Sequence, residues 1–353
     1  MAVDSAKLDT FLGQLISDMG AAAGMALTYV GDQLGIYKAM AGAGDLTPEQ
    51  LSDKTGLDRR LLQEWLNSQA AGGYVEYNPS DGTYNLPNEQ AFVLTDPESP
   101  VYMGEGALAF FSVMHAADAK MQEAFKTGSG IPWGDHDPRL FGATERFFRP
   151  SYRTHLTADW IPALDGVEDK LVSGARVADI GCGHAASTIV MANAYPASSF
   201  VAIDSHSGSI ETAKDRVSEA GLSDRIEFEV ASSTDYASSG FDLICFMDCL
   251  HDMGDPGGAV THAKQALNDG GSVLLVEPFA NDTVEENFNP LGRLFYSAST
   301  YLCSANSIAQ GGVHTLGAQA GEPGVREVFE QAGFGSFNRA TETPFNIVYQ
   351  AKP

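Results

Sequence analysis

The sequence predicts an α/β protein in which a doubly wound sheet follows a mostly helical winged-helix unit. Three observations carry that reading. From residue 175 onward, five short apolar runs alternate with helical segments, as strands joined by crossover helices do. A last helical stretch and two further strand-like runs close the chain. Ahead of them, helix, turn, helix and β-hairpin signals succeed one another within the first hundred residues. At 353 residues and 44% hydrophobic, the chain is long enough for two domains.

Residues 7–40, rich in Ala, Leu and Met, predict one or two helices. In "LTPEQLSDKTG", Thr47 is an N-cap, Pro48 takes the first helical position and Gln50 closes a capping box. Gly56 ends that helix and Asp58 caps the next, where Leu61, Leu62, Trp65, Leu66 and Ala70 form an apolar stripe. "GYVEYNPSDGTYNL" then reads as two short strands around a turn at residues 78–82, which completes a winged helix. Residues 101–126 read as a further helix carrying Phe110, Phe111 and Met114. The loop sequence "KTGSGIPWGDHDP" places the domain boundary between residues 1–135 and 136–353.

In the second domain a helical stretch covers about 140–161. Strands are expected at Arg176–Ile180, Ser199–Ile203, Ile226–Val230, Phe241–Met247 and Ser272–Glu277, and an aromatic insertion at 280–312. The last helix, Gly324–Ala332, precedes strand-like runs at Ser336–Thr341 and Asn346–Ala351.

Composition narrows the function. A net charge of −25 opposes a polyanionic partner and favours a cationic ligand. Residues 1–110 hold five Lys/Arg against fifteen Asp/Glu, so Arg59 and Arg60 at the start of the second winged-helix helix lack the basic face of a DNA reader. The four cysteines form no zinc-type pairs, and no metal site is expected. With neither a signal-peptide pattern nor a bilayer-length apolar run, the expectation is a cytoplasmic protein with no membrane partner.

The most informative stretch is "VADIGCGHAAST", residues 177–188, a strand running through a glycine turn into a helix. It satisfies the loose G-x-G-x-x-A pattern of dinucleotide sites. Asp179, two positions before Gly181, is ill placed for a pyrophosphate and well placed for a cationic, phosphate-free nucleoside. Gly181 and Gly183 permit close backbone approach. Asp204 ends the second strand, 21 residues after Gly183, where a carboxylate accepts hydrogen bonds from ribose hydroxyls.

"VADIGCG", "FVAID", "ASSTDY", "FDLICFMDCLHDM" and "GGSVLLVEP", in that order, resemble the motifs of class I S-adenosylmethionine (SAM)-dependent methyltransferases. The resemblance covers nearly all of residues 145–353. With the winged helix in front, it extends to small-molecule O-methyltransferases, nearest to uncharacterised bacterial members of that architecture. It implies a Rossmann-like, seven-stranded sheet with a C-terminal antiparallel hairpin, and SAM as cofactor with S-adenosylhomocysteine (SAH) as product. It places Asp179, Gly181, Cys182 (through its backbone), Gly183, Asp204, Ser205, Ser233, Thr234, Asp235 and Asp248 at the cofactor.

The resemblance also implies His251 as general base flanked by Glu277, a small, largely apolar or aromatic acceptor, and a homodimer built through a winged-helix domain that doubles as substrate lid. Phe110, Met114, Phe295 and His314 are the candidate substrate contacts. The chain departs from the family pattern at Met253, where Trp is usual, and lacks an obvious second acidic partner near 311–317. Three other readings stay open here: a SAM-binding winged-helix transcriptional regulator, a nicotinamide oxidoreductase, and an N- or C-methyltransferase in which His251 only holds backbone groups.

Overall fold

A computed structural model describes residues 3–353. The chain divides into two compact units between Ser112 and Val113.

The first unit opens on the helix Ser5–Gln33, which Asp4 caps by accepting from the amides of Ala6 and Lys7. A short helix, Ile36–Met40, follows. Then comes Pro48–Thr55, whose capping box has the expected form: Thr47 Oγ1 accepts from the Gln50 amide, and Gln50 Oε1 from the Thr47 amide. In the next helix, Arg59–Ala71, the buried face is Leu62, Trp65, Leu66 and Gln69. Leu61 does not belong to the stripe: it is 72% exposed, because one residue before Leu62 lies about 100° around the helix. Gln69 extends the face with a polar group whose Oε1 accepts from Tyr37 and Thr28. Strands β1 (Glu76–Asn78) and β2 (Thr83–Asn85) form the antiparallel wing.

The helix expected over 101–126 is interrupted. Glu105–Val113 gives way to a 3₁₀ turn, Met114–Ala117, and then to the helix Asp118–Thr127; the break coincides with the division between units. The loop at 126–138 therefore lies inside the second unit, not at a boundary at 135. Its backbone is tied there, with the Ile131 amide on the Ala305 carbonyl and the Trp133 amide on Asn306 Oδ1.

Seven strands build the second unit: β3 (Arg176–Ile180), β4 (Ser199–Asp204), β5 (Ile226–Val230), β6 (Phe241–Met247), β7 (Leu267–Pro278), β8 (Ser336–Glu342) and β9 (Asn346–Lys352). Their order is β5-β4-β3-β6-β7-β9-β8, parallel except for β9, which runs antiparallel between β7 and β8. The central strands are mostly buried and apolar, Asp179 in β3 and Asp242 in β6 excepted, because helices cover both faces of the sheet. The order reverses between β3 and β6, and ligands of open α/β sheets bind at the carboxyl ends of the strands beside such a reversal.

Two irregular pieces shape that end of the sheet. Pro150, inside the helix Pro138–Ser151, brings no amide to the ladder, and the chain continues as a wider π-helix, Tyr152–Trp160. The insertion folds as two helices, Pro290–Tyr301 and Cys303–Ala309. It pins the loop after β6: Ser307 Oγ donates to the Met253 carbonyl, Asn306 Nδ2 to that of Asp252 and the Gly317 amide to that of His251. Among the described residues no helix is long and apolar enough to cross a membrane.

Candidate active site

A cavity of about 400 Å³ opens where β3, β4, β5 and β6 end. The glycine turn forms its floor. Gly181 is left-handed (φ 71°), and a Cβ there would sit 2.9 Å from Cys249 Sγ. Gly183 is also left-handed (φ 55°), with open space where its side chain would be. Asp204 braces the turn: its Oδ2 accepts from the Gly183 amide at 2.9 Å and its Oδ1 from the His206 amide at 2.8 Å. The carboxylate thus links the β3 turn to the start of the helix Ser207–Glu219, and its remaining lone pairs are left for a ligand.

Asp179 lies beneath the turn, only 1% exposed and off the cavity wall. Its Oδ2 accepts from Ser187 and Thr188, both at 2.6 Å, while Oδ1 has no partner. Burial pushes its carboxyl up to about 6 against those hydroxyls. Asp204 is raised as well, by burial against the pull of its two amide donors.

Asp248 follows β6 and lines the cavity. Among the described residues only Ala185 and Asp248 are non-glycine residues with left-handed φ, and both border this turn system. Asp248 Oδ1 accepts from Asn346 Nδ2 at 2.6 Å, and Oδ2 from the Tyr152 hydroxyl at 3.4 Å. Burial, with Glu277 next, pushes its carboxyl up to about 8. Asp252, also on the wall, is pushed by burial up to about 7 despite His251 nearby.

His251 stands in the short 3₁₀ turn Leu250–Asp252, its Nδ1 2.5 Å from Glu277 Oε2 at the end of β7. The pair is buried and off the cavity wall. Burial opposes the imidazolium, but the Glu277 carboxylate and the Cys303 thiol, which hydrogen bonds to the imidazole, outweigh it. The ring is held well above the ordinary histidine range.

Of the other expected cofactor residues, Cys182, Ser205 and Ser233 line the cavity, whereas Thr234 and Asp235 are exposed outside it. Met114 and Phe295 are buried and His314 is exposed; none of the three lines it. Phe110 is buried in Glu105–Val113.

Several lining residues escaped the sequence reading. Trp133, Phe141 and His206 make an aromatic wall, with ring centroids 5.5 and 5.1 Å apart along the row. His184, in the glycine loop, has Nδ1 3.0 Å from Glu145 Oε2. Tyr152, Asn346 and Cys303 reach the site from distant segments and carry no local motif. No Lys or Arg lines the cavity.

Residues 21–96 match the family described as the Rv2258c-like winged HTH domain, and residues 171–332 the family described as the methyltransferase domain. The 27-O-demethylrifamycin SV methyltransferase of Amycolatopsis mediterranei (strain S699) is 30% identical over 145 residues, 40% of this chain and 48% of that protein. The ubiquinone biosynthesis O-methyltransferase of Aromatoleum aromaticum (strain DSM 19018 / LMG 30748 / EbN1) is 28% identical over 145 residues, 40% of this chain and 56% of that protein. The matched stretches thus span about half the length of these two curated relatives. In fold, the chain is similar over 99% of its length to all of the mitomycin 7-O-methyltransferase structure, with a TM-score of 0.71 at 18% identity. It is also similar to human N-acetylserotonin methyltransferase in complex with SAM, with a TM-score of 0.66 at 17% identity, covering 99% of this chain and 98% of that one.

Proposed function

We infer that this chain, which carries a methyltransferase domain behind an Rv2258c-like winged HTH domain, is a SAM-dependent methyltransferase acting on an oxygen of a small, largely apolar or aromatic molecule. The observation that carries the reading is the composition of the cavity wall. It offers a glycine turn, carboxylates and an aromatic row, and no Lys or Arg among the described lining residues. A pyrophosphate-bearing dinucleotide lacks a partner for its charge there, whereas a cationic nucleoside fits.

Asp204 would take the ribose hydroxyls, the row of Trp133, Phe141 and His206 an aromatic base, and the glycine turn the approach of the backbone. Bound SAM supplies a methyl group already activated on a sulfonium. The protein's part is to align the acceptor, exclude water and remove the acceptor proton. His251 is the base in this reading, and Glu277 orients its ring through Nδ1. Phe110, Met114, Phe295 and His314 remain assigned to the acceptor side. The test is transfer of label from radiolabelled SAM to a panel of phenols and alcohols, beside amines and carbon acids. Methyl ethers are expected. Label appearing only on nitrogen or carbon would overturn oxygen as the acceptor.

The winged-helix unit serves assembly in this reading. Its first helix exposes Leu8, Phe11, Leu12, Leu15, Ile16 and Met19, with Ile16 68% and Phe11 59% exposed. So much apolar surface on one ordered helix calls for a partner, and we assign it to a second copy of the chain. Arg60 pairs with Glu64 on its own helix, which gives no support to a DNA-reading role. In light scattering, the protein is expected to run at twice its 37.5 kDa chain mass, and Ile16→Asp at the single mass. A monomeric wild type would overturn this assignment.

A further inference from the structure

Asp248 is built unlike an ordinary strand-end acid. It holds a left-handed backbone (φ 53°) without being glycine, a conformation that persists where the surroundings impose it. Asn346, 98 positions away on β9, and Tyr152, 96 positions away on the π-helix, fix its two oxygens. Both donors are neutral, and the wall that Asp248 lines carries Glu145, Asp204 and Asp252 but, among the described residues, no Lys or Arg. His251, which acts on Asp248 electrostatically, is held by Glu277. A carboxyl so placed has little to balance its charge until a cation enters the cavity.

We propose that Asp248 reads the charge of the cofactor: its carboxyl carries a proton in the protein alone, releases it to solvent when a sulfonium docks, and keeps it when the neutral thioether product occupies the same cavity. The proposal rests on the SAM reading above and deepens it. The balance is simple: a neutral carboxylic acid and a cationic ligand give a carboxylate–sulfonium pair and one proton in solvent. The charged form is thereby coupled to substrate and the neutral form to product, which favours exchange of SAH for SAM after each turnover.

The groups facing Asp248 set the range. Glu277 and burial raise it to about 8, and His251 opposes them. Burial keeps the Tyr152 hydroxyl and the Cys249 thiol neutral. Asp179 behind the wall and Asp252 on it reach about 6 and about 7. Binding a cation that displaces a proton strengthens as pH rises, until the free carboxyl is itself ionised. SAM affinity therefore climbs up to about pH 8 and SAH affinity does not share the climb.

The experiment is calorimetry of SAM, SAH and an analogue with an amine at the sulfonium position, in buffers of different ionisation enthalpy. SAM and SAH share the amino-acid moiety, so its own titration largely cancels between them. SAM and the amine analogue are expected to release close to one proton more than SAH near pH 7. The SAM-to-SAH affinity ratio is expected to rise about 10²-fold between about pH 6 and about pH 8.5, close to tenfold per pH unit below about pH 8. In Asp248→Asn, excess release and rise should both vanish while SAH binds as in wild type. Equal proton release by SAM and SAH in wild type, or excess release that survives in Asp248→Asn, overturns the proposal. Failure of either ligand to bind overturns the SAM reading itself.

Discussion

Replacing His251 with Ala is expected to lower kcat by about 10²–10⁴-fold while leaving SAM binding nearly unchanged. The split follows from geometry. The imidazole lies off the cavity wall, so the cofactor loses no contact, whereas the Nδ1–Glu277 link at 2.5 Å positions a proton acceptor. The pH profile separates a base from a packing residue. Glu277 favours the imidazolium, so the neutral base forms only above the ordinary histidine range, and kcat should rise with pH through that region. Glu277→Gln removes the stabilising charge, so the inflection should move to lower pH, with a weaker base and a lower plateau. Undiminished label transfer by His251→Ala would return His251 to a purely structural role.

The second large effect is expected at Asp204. Its Oδ2 holds the Gly183 amide and its Oδ1 the His206 amide, so one carboxylate shapes the glycine turn and, in the proposed reading, would take the ribose hydroxyls on its free lone pairs. Hydrogen bonds to a charged group contribute about 1.5–3 kcal/mol each. Losing two to ribose hydroxyls in Asp204→Ala should weaken SAM binding by about 10²–10⁴-fold. Asp204→Asn keeps one acceptor oxygen and should fall between. Because SAM and SAH share the ribose, both ligands should weaken equally, unlike the charge-selective effect expected at Asp248. Calorimetry of Asp204→Ala that found a change below about threefold would remove the ribose assignment.

Much of the architecture was legible because it is written locally. Thr47, Pro48 and Gln50 spell a helix start within four residues, and the structure forms that capping box. The mostly apolar runs that became β3, β4, β6 and β7 are covered on both faces, and reading them needs no knowledge of the partner strand, whereas β5, at the sheet edge, alternates. Asp204 was recognisable by its distance from Gly183, since a strand–helix–strand unit has a narrow range of lengths. Leu61 was misread for an equally local reason: five apolar residues in a helix leave its face uncertain by one position, and packing chose Leu62, Trp65, Leu66 and Gln69.

What the sequence by itself determined was the order of strands and helices, the glycine turn and its two acids, and the presence of a His beside a strand end. Only the tertiary structure decided what those groups face. Tyr152 and Asn346 meet on Asp248 from distant parts of the second unit, Glu277 meets His251 across two strands, and Cys303 arrives on an insertion helix. The physical reason is range. Capping, turns and periodicity are set by neighbours a few residues apart, whereas the charge state of a buried carboxyl or imidazole depends on burial and on partners tens of residues away. "VADIGCGHAAST" therefore specified a strand, a glycine turn and a helix, and the fold around them set that turn on a cavity lined by carboxylates and, among the described residues, by no Lys or Arg.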